Sequence, residues 1–350
     1  MRGYIEVNLK NVLSNCEFVK KRLPVGVKLA AVVKADAYGH GARRIAETLE
    51  EKVDYFVVAT VEEGEEVREI TKKPILCLSP FSDGELKRCI LKRIETSVSS
   101  EDDLKRIIRA SEYMNIKAYV HLCVDTGMNR MGIKTEKCAY KLINRANLCR
   151  TVAIKGVYSH FFDGENGDIN EEQAERFDKI AEKFGADTIK HMAATDTCLN
   201  ENYRFDMVRL GIGLYGYGIN GLKPCMSLKS RVARVCRIKE GETVGYGGKF
   251  VAKKDCFSAT ISAGYADGVP RSFTGGEVLI GGKRRKIIGS VCMDYCFALV
   301  DGSVSVGDEA VFIGDQSGEV LTAEDMAKAC KTIPYEILTG VKRFEKIYIK

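Results

Sequence analysis

The sequence lacks the patterns that hold a structural metal or anchor a protein in a membrane. It contains no C-x-x-C pair and no His-x-Glu arrangement, the spacings at which cysteine, histidine and acidic side chains commonly bind zinc. No apolar run approaches the roughly 20 residues that a membrane-spanning helix needs, and the amino terminus has no signal-like segment. We therefore expect a cytoplasmic protein with no structural metal and no membrane segment in this chain.

The number of cysteines and the distribution of charge argue against a disulfide scaffold and against a nucleic-acid-binding protein. Thirteen cysteines in 350 residues are an odd number in a long chain, so we expect reduced thiols rather than a disulfide scaffold. Four of them, Cys77, Cys89, Cys236 and Cys256, lie in apolar or periodic stretches and are expected to be small core residues. The net charge of +6 is spread along the chain, and the one basic run, 283–286, is interpreted as an exposed hairpin tip. Nucleic acid is not an expected partner.

Apolar strands and helical patterns alternate eight times after residue 28. This alternation predicts a closed parallel (β/α)8 barrel of the TIM type. An open doubly wound sheet is the alternative, but the G-x-G-x-x-G fingerprint is missing after the first strand. The predicted strands are 29–33, 53–60, 74–79, 94–98, 116–124, 152–160, 188–194 and 207–216. The predicted helices are 9–23, 42–51, 61–71, 83–93, 102–114, 135–148 and 170–184.

The pattern changes after about residue 224. Short extended stretches separated by glycine and aspartate turns predict a mostly antiparallel β domain, with helical periodicity only at 323–330. We predict a barrel domain over 1–224 and a β-rich domain over 225–350, with residues 1–8 a candidate strand of the second domain.

Reactive side chains follow the predicted barrel strands. Lys34 ends the first strand, the stretch 125–130 follows the fifth, and His160 closes the sixth. Thr195 comes just past the seventh strand, and Arg209 lies within the eighth. Each has an ordinary structural explanation in isolation, but barrels of this type place their active sites at the carboxyl ends of the strands. The sequence therefore predicts one site at that rim.

Four motifs resemble those of the alanine racemase family, whose enzymes depend on pyridoxal 5'-phosphate (PLP) and have the fold-type III architecture. They are A-V-V-K-A-D-A-Y-G-H-G-A at 31–42, D-T-G-M-N-R-M-G at 125–132, M-V-R-L-G-I-G-L-Y-G at 207–216 and I-S-A-G-Y-A-D-G-V-P-R-S at 261–272. The resemblance covers the whole chain. It implies a barrel followed by a β domain, and an isomerase that interconverts L- and D-alanine and supplies D-alanine for peptidoglycan.

The resemblance also implies the two catalytic residues. Racemisation removes a proton from one face of Cα and returns one to the other, so two bases are expected. Lys34 resembles the lysine that carries PLP covalently and serves one face. Tyr265 resembles the base on the opposite face, which in the family reaches the cofactor of the other subunit. A homodimer with active sites shared across subunits is therefore implied.

The remaining site residues are assigned in the same way. Arg209 resembles the arginine that faces the pyridine nitrogen, with His160 supporting it by a hydrogen bond. Arg130 resembles the arginine near the cofactor phenol oxygen and the substrate carboxylate, and the N–H of Met293 resembles the group that binds that carboxylate. The residues expected to hold the phosphate are Tyr38, Thr195, Gly211, Ile212 and Tyr335.

Two positions depart from the family pattern. Many members carry a lysine, commonly carbamylated, where this chain has Cys123, so another group positions Arg130 or its role is weaker. The stretch H-M-A-A-T-D at 191–196 replaces the usual H-x-A-N-S-A but keeps a hydroxyl at Thr195. A serine or serine/alanine racemase of the glycopeptide-resistance type is an alternative, because a small pocket excludes an extra hydroxyl poorly. A non-catalytic PLP carrier is a second alternative, although carriers lack the β domain.

Overall fold

The computed structural model describes residues 2–350, and they divide into two compact units. One unit comprises Val12–Ala37 and Ala42–Lys223. The other comprises the residues up to Asn11, the short segment Tyr38–Gly41 and the long stretch Pro224–Lys350. No helix in the described residues is long and apolar enough to cross a membrane.

The first unit is built on eight parallel strands in one sheet, which confirms the predicted TIM-type barrel. Parallel strands are covered on both faces, and the first of them, Lys28–Val32, is buried from Leu29 onward. Backbone hydrogen bonds from Asp206 to Lys190 (2.9 Å) and from Arg209 to Ala193 (3.0 Å) link the two ends of the sheet. In spatial order the strands are Ile189–His191, Val152–Tyr158, Ala118–Cys123, Glu95–Val98, Ile75–Cys77, Tyr55–Val58, Lys28–Val32 and Met207–Leu210.

The helices of the barrel begin at polar caps that the sequence provides. Thr60 and Ser82 each form a full capping box with a glutamate three residues later. At Ser100 the box is half formed: Ser100 accepts from the Asp103 amide, but Asp103 accepts from the Ser99 amide. The helices are Leu9–Lys20, Ala42–Leu49, Val61–Arg68, Asp83–Leu91, Glu101–Met114, Glu136–Asn147 and Gly167–Ala181.

The last barrel strand is shorter than predicted. The chain leaves the sheet at Gly211 and forms a 3-10 turn over Ile212–Tyr215, so the prediction of a strand to residue 216 was wrong. The apolar run continues through this turn because all four of its residues are buried. Periodicity alone does not separate such a turn from a buried strand.

The second unit is a mixed sheet of nine strands that is almost entirely antiparallel. Gly3–Asn8 pairs antiparallel with Met226–Ile238 and parallel with Glu345–Ile349. Its two helices are Ala323–Cys330, as predicted, and Pro334–Gly340, which the sequence analysis missed. In spatial order the strands are Glu319–Leu321, Glu309–Gln316, Glu277–Ile280, Lys283–Ile288, Cys296–Val300, Cys256–Ile261, Met226–Ile238, Gly3–Asn8 and Glu345–Ile349. A separate pair joins Thr243–Val244 to Phe250–Val251.

The basic run 283–286 lies in a hairpin, as expected, and begins the strand Lys283–Ile288 directly after the two-residue turn at Gly281 and Gly282, whose φ values are 62° and 69°. The interpretation of two cysteines was wrong. Cys236 and Cys256 are half-buried rather than core residues, whereas Cys77 and Cys89 are buried as expected.

Candidate active site

The backbone after Lys34 forms a left-handed helical turn. Ala35, Asp36, Ala37 and Tyr38 all have φ between 52° and 54°, a region that L-residues with a Cβ rarely adopt. Each residue in that conformation costs about 1–2 kcal/mol. Strain of this kind persists where the surrounding structure enforces it, and it is common at functional sites.

Carboxylates on both sides of the turn hold it in place. Glu63 Oε1 accepts from the Ala35 amide at 2.6 Å, while its Oε2 accepts from Ala59 (2.8 Å) and Thr60 (3.1 Å) at the start of the next helix. Asp36 Oδ1 accepts from the Ala42 amide at 2.8 Å. One glutamate therefore connects the Lys34 turn to a helix cap.

Lys34 opens into a cavity of about 240 Å³ at the carboxyl ends of the barrel strands. Burial and then the Arg130 cation lower the pKa of Lys34, which Glu63 partly opposes. A lowered pKa favours the neutral amine, the form in which lysine is a nucleophile or a base. The lining residues include Lys34, Asp125, Thr126, Arg130, Tyr158, Ser159 and His160.

Arg209 is buried, with 5% of its surface exposed, and its guanidinium donates in several directions. One terminal nitrogen donates to the carbonyls of Ser159 (2.7 Å) and Met192 (2.9 Å). The other donates to the carbonyl (3.1 Å) and Nδ1 (2.6 Å) of His191. His160 Nδ1 is farther away, at 3.4 Å. The nearest imidazole is therefore His191 rather than the His160 that the resemblance implied.

Thr195 organises the turn at the end of the last strand. Its Oγ1 accepts from the amides of Gly211 (3.2 Å) and Gly213 (3.1 Å). A Cβ at position 213 would lie 2.9 Å from the Thr195 methyl carbon, so this approach requires glycine. Because Oγ1 accepts twice, the hydroxyl proton remains to be donated to a ligand. The Gly211 amide, expected to bind phosphate, is engaged with Thr195 here.

The Arg130 side chain is not held by the part of the chain that the structure describes. Neither a hydrogen bond nor an ion pair joins it to any of those residues. The Cys123 thiol donates to the Met131 carbonyl at 3.5 Å, and burial raises the pKa of Cys123. Cys123, where the resemblance implied a lysine, therefore makes no hydrogen bond to Arg130.

In the second unit, Tyr265 and Met293 line the same open cavity. The Tyr265 amide donates to the Cys292 carbonyl at 3.0 Å, and 43% of the tyrosine surface is exposed. A Cβ at Gly264 would lie 2.3 Å from that carbonyl, which explains the glycine before the tyrosine. Tyr38 and Tyr335, both expected at the phosphate, have ring centroids 5.9 Å apart.

Sequence reasoning missed His191 as a functional side chain. It begins the H-M-A-A-T-D stretch, in which only the hydroxyl of Thr195 had been assigned a role. The signal in the sequence was a histidine in a predicted barrel strand, because a buried histidine needs a hydrogen-bond partner. The pattern did not identify that partner, since Arg209 lies 18 residues later.

Comparisons with known proteins agree with this arrangement. The family model "Alanine racemase, N-terminal domain" matches residues 7–218, and "Alanine racemase, C-terminal domain" matches residues 225–348. The alanine racemase of Citrifermentans bemidjiense is 36% identical over 99% of this chain and 98% of its own length.

Solved structures give the same result. That of the alanine racemase of Clostridium difficile 630 has a TM-score of 0.93 and 32% identity, covering 100% of this chain and 96% of its own. The histidine racemase of Leuconostoc mesenteroides subsp. sake has a TM-score of 0.92 and 25% identity, covering 100% and 98%. A match to both domain models over nearly the full length excludes the carrier alternative. The chain belongs to the alanine racemase family and is an amino-acid racemase.

Proposed function

We propose that this racemase interconverts L- and D-alanine with PLP, by proton transfer between two bases, and so supplies D-alanine for peptidoglycan. The observation that carries the proposal is Lys34, a half-buried amine of lowered pKa in a small cavity beside two arginines. We further propose a barrel domain over 1–224, from which residues 1–8 join the other domain as a strand, and a β-rich domain over 225–350 that carries the second base. We also propose a cytoplasmic location for a chain whose thirteen cysteines are free thiols.

The residues present fit PLP. The neutral form of Lys34 suits covalent attachment to an aldehyde. Thr195 retains a hydroxyl proton for a phosphate oxygen, since its lone pairs already accept two amides. The Ile212 amide and the paired tyrosines Tyr38 and Tyr335 complete the proposed phosphate ligands, whereas the Gly211 amide already donates to Thr195.

The chemistry of each side chain determines the role that we propose for it. PLP, when bound, supplies an electron-withdrawing ring that acidifies the Cα proton of an attached amino acid. Lys34 Nζ would take or return that proton on one face, and Tyr265 Oη on the other. Arg209 can only donate a hydrogen bond, so it would keep a pyridine nitrogen unprotonated. Arg130 would bind the substrate carboxylate together with the Met293 amide, and His160 would contact Arg209.

The substrate is tested by comparing kcat/KM for L-alanine and L-serine on the purified PLP-loaded chain. We expect alanine to be preferred, as in the alanine racemases that this chain resembles over its full length. A higher kcat/KM for L-serine, or for L-histidine as in the Leuconostoc enzyme, would contradict the proposed substrate while leaving the racemase assignment in place.

Tyr265→Phe tests the two-base assignment. Racemisation should fall by about 100-fold or more, the usual contribution of a general base. In D2O, however, the Cα proton of one alanine enantiomer should still exchange without inversion, because Lys34 remains, and NMR measures that exchange. Tyr113→Phe, at an exposed tyrosine of a barrel helix, is the control. Undiminished racemisation in Tyr265→Phe would exclude this tyrosine as the second base.

A further inference from the structure

A row of four hydrogen-bonded side chains runs through the interior of the barrel. Glu95 Oε2 lies 2.7 Å from His121 Nε2, and His121 Nδ1 lies 2.8 Å from His191 Nε2. His191 Nδ1 lies 2.6 Å from a terminal nitrogen of Arg209. The two histidines are fully buried, and Glu95 and Arg209 are each 5% exposed. Four barrel strands thus contribute one side chain each to a continuous row.

The direction of every hydrogen bond in this row is fixed from both ends. A guanidinium can only donate, so His191 Nδ1 must accept and the His191 proton must sit on Nε2. That proton is donated to His121 Nδ1, which leaves the His121 proton on Nε2. An ionised carboxylate can only accept, so Glu95 receives it. The two ends impose the same tautomer on both rings.

We propose that Glu95 is the counter-anion of Arg209, acting through two neutral imidazoles, and that Glu95, His121 and His191 are positioning residues for the Arg209 guanidinium. Arg209 touches no carboxylate directly among the described residues; its other partners are the carbonyls of Ser159, His191 and Met192, and the ring of His160. A buried cation without a compensating charge is costly. The row supplies that charge and fixes the two terminal nitrogens of the guanidinium. That the Nε–H of Arg209 faces PLP rests on the proposed function, but the row itself does not.

The packing around the row favours this arrangement. A Cβ at Gly156 would lie 2.2 Å from His121 Nδ1, so only glycine leaves room for the ring. The Tyr158 ring stacks on His191, with centroids 5.2 Å apart and planes 13° apart, and Tyr55 packs edge-on against His121. These contacts restrict both imidazoles to one orientation.

Other titratable groups face the row and set its charge. Burial raises the pKa of Tyr158 and of Tyr55, so both phenols stay neutral. Burial and the Arg209 cation lower the pKa of His160 to about 3. Three further cations act on groups at or beside the row. Lys34 and Arg130 also lower the pKa of His160, and Arg68 interacts electrostatically with Glu95. The Arg68 hydrogen bonds go to the carbonyls of residues 71, 73, 92 and 93 rather than to Glu95.

The first test uses 15N NMR of the cofactor-free chain with labelled histidine. The sequence has four histidines, so His40→Gln and His160→Gln assign the signals. We expect His121 and His191 both to carry their proton on Nε2, and His191, whose pKa is lowered by burial, not to titrate between about pH 5.5 and 8.5. An Nδ1–H tautomer at either ring would overturn the proposal.

A charge-coupling cycle extends this test. In Arg209→Met, Glu95 loses its distant cation, so one ring of the pair should take up a proton and appear as an imidazolium. The double variant Arg209→Met with Glu95→Gln should return the pair to neutrality. A pair that stays neutral in Arg209→Met means that Glu95 does not compensate Arg209, and the proposal fails.

Glu95→Gln in the PLP-loaded enzyme is the second measurement, and it does not depend on the folding of Arg209→Met. We expect kcat to fall about 10- to 100-fold, the loss seen when outer partners of metal ligands are removed, with KM for alanine within about threefold. The control is Thr96→Val on the same strand, where the buried Oγ1 has no partner, and it should keep its kcat within about twofold. A Glu95→Gln enzyme with unchanged kcat would overturn the proposal. A wild-type chain that racemises nothing would refute the proposed function instead, leaving the NMR result to decide the row.

Discussion

Single side chains in this barrel serve both structure and chemistry, and Thr195 is an example. One hydroxyl accepts from two backbone amides and keeps a proton for a ligand. The sequence indicated the hydroxyl, because the H-M-A-A-T-D stretch carries one at Thr195. It did not indicate that the Gly211 and Gly213 amides are already bound to that oxygen, since the residues lie 16 and 18 positions apart.

Thr195→Val should therefore have two measurable effects. Two buried amides lose their acceptor, so the free energy of unfolding in urea should fall by about 1–3 kcal/mol. The Kd for PLP, followed by absorbance, should rise because the donor to the phosphate is lost. Thr195→Ser keeps the hydroxyl and should restore most of both. A valine variant that binds PLP as tightly as the wild type would contradict the assigned role.

At the scale of elements, the unusual feature is the left-handed turn Lys34–Tyr38. Alanine and aspartate do not prefer this conformation, and the sequence offered only Gly39 and Gly41 as signs of a special backbone. Glu63, on the helix Val61–Arg68, accepts from the Ala35 amide and so helps to hold the turn. A strained turn is thus stabilised in part by a helix that follows it in the chain.

Glu63→Gln tests this connection. An amide has one acceptor oxygen, so glutamine cannot serve both Ala35 and the cap amides of Ala59 and Thr60. We expect a loss of about 1 kcal/mol in the free energy of unfolding, measured by urea denaturation. Glu66→Gln, at an exposed position of the same helix, is the matched control. Equal effects of the two substitutions would show that Glu63 does not support the turn.

At the scale of the whole molecule, buried histidines link stability to pH. Burial lowers the pKa of His160 from 6.5 to about 3, and burial also lowers the pKa of His191. The unfolded chain therefore binds more protons than the folded chain below about pH 6.5, and stability is lost as the pH falls. Each such histidine contributes a slope of up to about 1.4 kcal/mol per pH unit.

Urea denaturation of the cofactor-free chain between about pH 5 and 7 measures this slope. We expect the free energy of unfolding to decrease toward pH 5, and His160→Gln to reduce the decrease. A wild-type stability that is constant over this range would mean that the buried rings remain protonated or become solvated.

The proposed homodimer makes a quantitative prediction for mixed subunits. Lys34→Ala and Tyr265→Phe chains should each be inactive alone. If each site combines Lys34 of one subunit with the partner's Tyr265, half of the dimers in a random mixture contain one intact site out of two. Co-expression should then restore about a quarter of the wild-type activity. A mixture that remains inactive, although both chains fold and exchange subunits, would contradict shared sites.

The sequence by itself determined the barrel, the β-rich second half and the positions of Lys34 and Tyr265 within their motifs. These features depend on local periodicity and short motifs, which are legible along the chain. Only the tertiary structure decided the left-handed turn, the end of the last strand at Gly211 and the row from Glu95 to Arg209. Each of these depends on hydrogen bonds between residues far apart in sequence, and a buried polar group shows its purpose only when its partner is known.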